Sequence, residues 1–123
     1  RDRLRSRGLG DVYKRQSYRR IMEGLELTIF NIITSVGNAR SLYIEAIQEA
    51  KQGNFDKAAE RIKEGEESFM EGHHAHADLI QKEAAGEAAS ASLLLMHAED
   101  QLMSAEGFRI LADEFIDVYK RLQ

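Results

Sequence analysis

The chain has neither cysteine nor proline among its 123 residues. The lack of cysteine excludes disulfide bonds, thiolate nucleophiles and cysteine-ligated zinc sites. The lack of proline means that no residue forces a long helix to break. Tryptophan is absent and aromatic residues make up only 7% of the chain, whereas alanine, glutamate, leucine and arginine, all strong helix formers, are the commonest residues. The composition predicts a single all-α domain.

Other absences narrow the possible functions. No apolar run approaches the roughly 18 residues that a membrane span requires, and no hydrophobic region follows the basic N-terminus as in a secretory signal. We therefore expect a cytoplasmic protein. The sequence also lacks a glycine-rich phosphate loop, a GxSxG elbow, an HExxH motif and a Rossmann fingerprint. With no nucleotide site, any phosphoryl donor would be another protein.

The net charge of −4 conceals two unlike segments. Residues 1–20 carry eight Lys and Arg against two Asp, whereas the rest of the chain carries nine against nineteen acidic residues. Residues 1–16 read RDRLRSRGLGDVYKRQ, with no amphipathic period, and we interpret them as a disordered or adapter-derived tail, with a genuine basic tail as the alternative. The acidic domain, residues 17–123, has no feature typical of nucleic-acid binding.

Apolar residues at steps of three and four predict three helices, at residues 19–52, 55–85 and 91–122. Gly53 and Gly86 are expected to end the first two helices, with Asn54 and either Ser90 or Ser92 as the following caps. Gly65 and Gly72 lie on the apolar seam of the second helix, which suggests that another backbone approaches there. The fold predicted is an antiparallel three-helix bundle.

The third helix has two apolar seams rather than one. The first contains Leu95, Ala98, Leu102, Ala105, Ala112, Ile116 and Tyr119. The second contains Leu93, His97, Asp100, Ser104, Phe108, Leu111, Phe115 and Val118. Two partner helices can cover only one broad side well, so the second seam indicates either a fully central helix or contacts with other copies of the chain. We favour an oligomer.

Two clusters could carry chemistry, and the first is a group of histidines, His73, His74 and His76, late in the second helix. His73 and His76, three residues apart, share one helix face, and His74 and Asp78, four apart, share another; such pairs can bind zinc, nickel or copper. The three histidines do not converge on one point, however, so a tight site would need further ligands. The simpler alternative is a polar helix face with one histidine beside the core.

The second cluster is His97 with Asp100, one turn apart on the second seam. A neutral imidazole is a competent nucleophile toward phosphorus, although a histidine in such a setting is more often a hydrogen-bonded core residue. If the seam is a subunit interface, several copies of Asp100 would gather near a symmetry axis, and clustered carboxylates need a cation or shared protons. Mg²⁺ suits such all-oxygen ligation.

Several stretches together resemble the enzyme IIA component of the lactose/cellobiose (N,N′-diacetylchitobiose) family of the bacterial sugar phosphotransferase system. The stretches are residues 33–42 (ITSVGNARSL), 45–55 (EAIQEAKQGNF), 73–74 (HH), 78–81 (DLIQ), 85–87 (AGE) and 92–103 (SLLLMHAEDQLM). They occur in the order and spacing of the family, and the match runs from about residue 22 to residue 122. No single motif is decisive, but the set is specific.

The resemblance implies a homotrimer of three-helix subunits and a phosphocarrier function. His97 would take a phosphoryl group from phospho-HPr and pass it to a cysteine of the cognate enzyme IIB. Asp100 corresponds to the aspartate that meets its symmetry mates around a divalent metal, usually magnesium, with one ion per trimer on the three-fold axis. The sugar would be phosphorylated as it enters through the membrane component, so this chain would contact proteins rather than sugar.

The chain departs from the family pattern at two places. The family usually reads His-Ala-Gln-Asp-His from the phosphorylated histidine, whereas this chain has Glu99 and Gln101 at the third and fifth positions. Glu99 adds a negative charge near the incoming phosphoryl group, which would slow transfer or alter the choice of partner. In the second helix the family often has Gln-Thr where this chain has His76 and Ala77, so a supporting hydrogen bond is expected to differ.

Overall fold

The computed structural model describes residues 2–87 and 92–123. Within these ranges it contains three α-helices and no strand: α1 (Asp2–Lys51), α2 (Phe55–Ala84) and α3 (Leu93–Arg121). Close approaches between Tyr43 and Gly65 and between Val36 and Gly72 show that α2 runs antiparallel to α1. The contacts of His76 with Glu99 and of Glu66 with Arg109 occur in opposite order along α2 and α3, which shows that α3 reverses direction again. The predicted all-α, antiparallel three-helix bundle is confirmed.

The first helix is longer than predicted. A start at residue 19 is wrong, because α1 continues without interruption from Asp2. The segment has no proline, and Gly8 and Gly10 each cost only about 1 kcal/mol relative to alanine inside a helix. Residues 8–17 are exposed along this helix, so they contribute nothing to the core. The adapter origin of residues 1–16 stays a prediction.

Short glycine-containing turns separate the helices as predicted. Gly53 (φ +83°) and Gly86 (φ +88°) adopt the left-handed conformation that favours glycine. Asn54 precedes α2, but its side chain donates to the Glu49 carboxylate at 3.0 Å instead of capping the helix. The Ser92 hydroxyl caps α3 by accepting a hydrogen bond at 3.1 Å. The helix start predicted at residue 91 and the cap candidate Ser90 lie outside the described residues.

The predicted seams form the core of the bundle. On α1 the buried residues are Ile29, Ile32, Val36, Ala39, Tyr43, Ala46 and Ala50, on α2 Ala58, Gly65, Gly72 and Leu79, and on α3 Ala98, Leu102, Ala105 and Ala112. Small residues on α2 and α3 allow α1 to pack closely against both helices. The first seam of α3 therefore faces inward.

The two α2 glycines are needed for this close approach. A Cβ atom added at Gly65 would lie 2.6 Å from Cε1 of Tyr43, and one added at Gly72 would lie 2.7 Å from Cγ1 of Val36. Both distances are far below van der Waals contact. The prediction of a close approach is confirmed, but the nearest atoms belong to side chains of α1 rather than to its backbone.

The side chain of Tyr43 is fully buried against Gly65. Its hydroxyl has no hydrogen-bond partner among the described residues, and burial raises the pKa of Tyr43 to about 12. A buried hydroxyl without a partner is rare and opposes folding. Tyr43 therefore contributes packing to the core, while its polar group lowers stability.

Candidate functional site

The two sides of α3 differ in how well the bundle covers them. The first seam is buried, whereas most of the second remains exposed: Leu93 is 80% exposed, Leu111 53%, Phe115 45% and Val118 49%. The two partner helices within the subunit thus leave an apolar stripe on α3 uncovered. We call the second seam, as defined above by its eight residues, the outer stripe.

His97 lies on this outer stripe, in the second turn of α3. Ala98, the next residue, is buried against α1 and α2 and fixes the rotation of the helix. The imidazole of His97 is consequently exposed. In this subunit His97 is not the hydrogen-bonded core residue of the alternative interpretation, and its ring nitrogens are accessible to a reactant.

Asp100 follows one turn later on the same face and is also exposed. Among the described residues it forms no ion pair, so its carboxylate oxygens are free to accept other ligands. Carboxylate oxygen suits Mg²⁺, and the residue therefore fits the metal that the sequence led us to expect. One subunit supplies a single such carboxylate, so a site would need further copies of the chain.

The histidines of α2 do not assemble a metal site with one another. The ring of His73 stacks on Phe69 at a centroid distance of 6.1 Å, and His74 lies edge-on to His73 at 6.3 Å. In the part of the chain that the structure describes, no three His, Asp or Glu side chains come close enough together to hold a metal ion. The geometry of the subunit gives no support to the transition-metal alternative.

The third α2 histidine instead contacts α3. Nε2 of His76 lies 2.5 Å from Oε1 of Glu99, and the His76 side chain is only 14% exposed. His76 is thus the histidine beside the core that the simpler alternative described. His76 and Glu99, which depart from the family pattern at two separate places in the sequence, therefore contact each other. Sequence reasoning missed this contact because it depends on the relative rotation of two helices.

A second charged contact joins the same two helices nearly three turns further along α3. The Arg109 guanidinium donates from Nε to the Glu66 carboxylate at 2.6 Å, and this hydrogen bond raises the pKa of Arg109. Both side chains are more than 40% exposed. The α2–α3 interface is therefore bridged by polar groups at two levels, one near the start of α3 and one near its middle.

Comparisons with known proteins agree with the all-helical fold. Residues 27–120 match the family model for the lactose/cellobiose-specific IIA subunit of the PTS system. The chain is 39% identical to the lichenan-specific phosphotransferase enzyme IIA component of Bacillus subtilis, over 81% of this chain and 91% of that protein.

Two solved structures extend this similarity to the fold. The PTS cellobiose-specific enzyme IIA from Bacillus anthracis superimposes with a TM-score of 0.77 at 47% identity, covering 79% of this chain and 89% of that one. The N,N′-diacetylchitobiose IIA of Escherichia coli, solved in complex with HPr, gives a TM-score of 0.70 at 33% identity, covering 80% and 95%.

The family match and the similar structures show that the chain is an all-helical IIA subunit of a sugar phosphotransferase system. It belongs to the lactose/cellobiose-specific IIA family. No helix within the described ranges combines the length and the apolar character that crossing a membrane would require.

Proposed function

We propose that this chain is a cytoplasmic phosphocarrier that accepts a phosphoryl group from phospho-HPr on His97 and passes it to a cysteine of the cognate enzyme IIB for disaccharide uptake. The observation that carries the proposal is the exposed imidazole of His97 on the outer stripe of α3, in a chain of this family. The complex of the E. coli relative with HPr supports HPr as the donor.

The chemistry needs an accessible nitrogen and good alignment. A ring nitrogen of His97 attacks the phosphorus in line, forming a new N–P bond as the N–P bond of the donor's phosphohistidine breaks and the donor imidazole leaves with the electron pair. In the second step the thiolate of enzyme IIB forms a P–S bond and frees His97. A loose transition state requires positioning more than covalent assistance, which suits a site exposed to two successive protein partners.

The outer stripe supports the second part of the proposal, a homotrimer. Exposed Leu111, Phe115 and Val118 form an apolar surface that favours burial against copies of itself. Three such stripes meeting on a three-fold axis would bring three Asp100 side chains together, with His97 at a cleft between neighbouring subunits that remains open to HPr. Bound there, one Mg²⁺ per trimer would neutralise the carboxylates, and Asp100 would act structurally rather than as a base.

The deciding experiment is phosphorylation by phosphoenolpyruvate, enzyme I and HPr. We expect acid-labile, alkali-stable phosphate on the wild-type chain and none on the His97→Gln variant, with unchanged helicity by circular dichroism. His74→Gln is the matched control, because it removes an exposed histidine of α2 and should be labelled like the wild type.

Two outcomes would contradict the relay. Label retained in His97→Gln would move the site to His73, His74 or His76. An unlabelled wild type would instead favour the main alternative, a non-catalytic helical interaction domain in which His97 and Asp100 only set the register of the assembly.

The assembly is tested separately by light scattering and chelation. We expect a mass three times the 14.0 kDa of the chain, and thermal stability that falls on addition of EDTA. Asp100→Leu should remain trimeric and become insensitive to EDTA, since removing clustered charges from a dry interface can be neutral or stabilising. A monomeric wild type would refute the trimer, and EDTA-insensitive stability would refute the metal.

A further inference from the structure

Gln101 follows His97 by four residues on α3. Residues four apart in an α-helix differ in rotation by only about 40°, so their side chains share one face. Long side chains in a helix lean toward its N-terminus and cover the turn before their own Cα. The side chain of Gln101 is therefore placed to lean over His97, and its amide is within reach of the imidazole.

The amide of Gln101 has no other partner in the part of the subunit that the structure describes. It takes part in none of the side-chain hydrogen bonds formed there, and neither does the imidazole of His97. Gln101 is half-buried, whereas His97 is exposed. A polar group partly withdrawn from water is stabilised by a hydrogen bond to a polar neighbour. Both groups are thus free to pair with each other.

Such a pairing would decide which ring nitrogen of His97 is the nucleophile. A neutral imidazole has one N–H and one nitrogen with a lone pair, and a hydrogen bond at one nitrogen fixes the state of the other. Nδ1 lies beside Cβ, near the helix surface, while Nε2 is at the outer tip of the ring, where a donor protein can approach. An acceptor that binds the proton on Nδ1 leaves the lone pair on Nε2.

We propose that Gln101 is a positioning residue for His97, whose amide oxygen accepts a hydrogen bond from Nδ1–H and so keeps the lone pair on Nε2. That lone pair forms the new N–P bond as the N–P bond of the donor breaks, and the proton on Nδ1 stays in place. The inference rests on the proposed function of His97. Gln101 acts through the imidazole and does not contact the phosphoryl group.

Asp100 is the other acceptor within one turn of His97. It is rotated from His97 by about 60° in the direction opposite to Gln101, and it is exposed. A carboxylate beside an imidazole favours the protonated ring, which has no lone pair. An uncharged amide selects one ring form without that effect and adds no repulsion toward a negative phosphoryl group. Gln101 therefore suits the positioning role better than Asp100 does.

The first test is ¹⁵N NMR of the imidazole rings at about pH 9, where free histidine is neutral. The signals of His97 are those missing from His97→Gln. We expect the Nδ1–H form to predominate in the wild type. In Gln101→Leu, which has a similar volume and no acceptor, the ring should return to the mixture of forms of a free imidazole. Gln48→Leu, the same change at an exposed position of α1, is the matched control and should resemble the wild type.

The second test is single-turnover phosphorylation by phospho-HPr. We expect transfer to Gln101→Leu to be about tenfold slower, the change that the loss of one hydrogen bond produces. Ser104→Ala alters the other half-buried polar side chain on this side of α3. Ser104 is seven residues beyond His97 and too short to reach it, so its variant should match the wild-type rate. Circular dichroism and light scattering check that each variant keeps the fold and the assembly of the wild type.

The remaining outcomes separate this inference from the relay. A wild-type rate for Gln101→Leu, or equal ring forms in that variant and the wild type, would overturn the positioning role and leave the relay intact. A loss of the Nδ1–H preference in Asp100→Leu but not in Gln101→Leu would assign the acceptor to Asp100 and also overturn it. An unlabelled wild type would reject the relay, while the NMR comparison would still decide whether Gln101 pairs with His97.

Discussion

The two interfaces that α2 makes within the bundle are built on different principles. Toward α1 it presents Gly65 and Gly72, against which the side chains of Tyr43 and Val36 pack at close range. Toward α3 it presents His76 and Glu66, whose side chains pair with Glu99 and Arg109. Close apolar packing tolerates little change in shape, whereas exposed ion pairs add little stability. The α1–α2 interface fixes the subunit, and the α2–α3 interface is free to vary with function.

A methyl group added to the α1–α2 interface provides the strongest test of this contrast. In Gly65→Ala the new Cβ would lie 2.6 Å from the buried ring of Tyr43, so we expect a loss of about 2 kcal/mol in the free energy of unfolding, overpacking outweighing the gain in helix propensity. Gly37→Ala is the control, since nothing lies within 4 Å of its Cβ, and it should be stabilising. Urea unfolding at one fixed chain concentration measures both. Equal stability of the two variants would contradict the contrast.

Removing the buried hydroxyl of Tyr43 tests the same interface at high pH. Its pKa is raised from 10.0 to about 12 in the folded chain, so the folded chain holds this proton more tightly than the unfolded chain. The free energy of unfolding is therefore unaffected by this group below pH 10 and falls as the pH rises through 12. By pH 12 the free energy of unfolding should have fallen by about 2 kcal/mol through this group.

Thermal unfolding measured between pH 9 and pH 12 compares the Tyr43→Phe variant with the wild type. Tyr43→Phe should lose less stability over this interval than the wild type, and near neutral pH it should be as stable or more so, because an unpartnered polar atom is removed. Tyr13→Phe, which changes a side chain that is 68% exposed, should follow the wild type. Identical alkaline curves for Tyr43→Phe and the wild type would show that the hydroxyl is not buried.

The smallest change in the free energy of unfolding is expected for a substitution in the α2–α3 interface. Glu66→Gln removes the charge that pairs with Arg109, and since both side chains are more than 40% exposed the loss should be about 0.5 kcal/mol. The difference should vanish in 0.5 M salt, which screens exposed charges. Glu67→Gln on the neighbouring exposed position is the control. A loss comparable to that of Gly65→Ala would mean that this interface also fixes the subunit.

The sequence predicted the features that depend on a repeating local pattern. Steps of three and four identified the buried seams, and Gly53 and Gly86 marked the helix ends because only glycine adopts their positive φ readily. The second seam of α3 indicated either a fully central helix or contacts with other copies, and its exposure within the subunit rules out the central helix. Periodicity succeeds here because one buried residue per turn fixes the rotation of the whole helix.

The features that the sequence did not predict leave no trace in the apolar period of a single helix. Residues 1–16 have no apolar period, yet α1 continues through residues 2–16 because helix propagation needs only continued backbone hydrogen bonds. The pairing of His76 with Glu99 requires two helices to be placed relative to each other. The family pattern drew attention to both residues, but only their distance in the folded chain connects them.

The long first helix has a consequence for how the chain behaves in solution. From residue 25 onward α1 is anchored by core contacts, whereas residues 8–17 are held by their own backbone hydrogen bonds alone. An isolated helical stretch of that length is marginal in water. Amide protons should therefore exchange rapidly near residue 10 and slowly near Tyr43, and a protease should trim the free end while leaving the bundle whole.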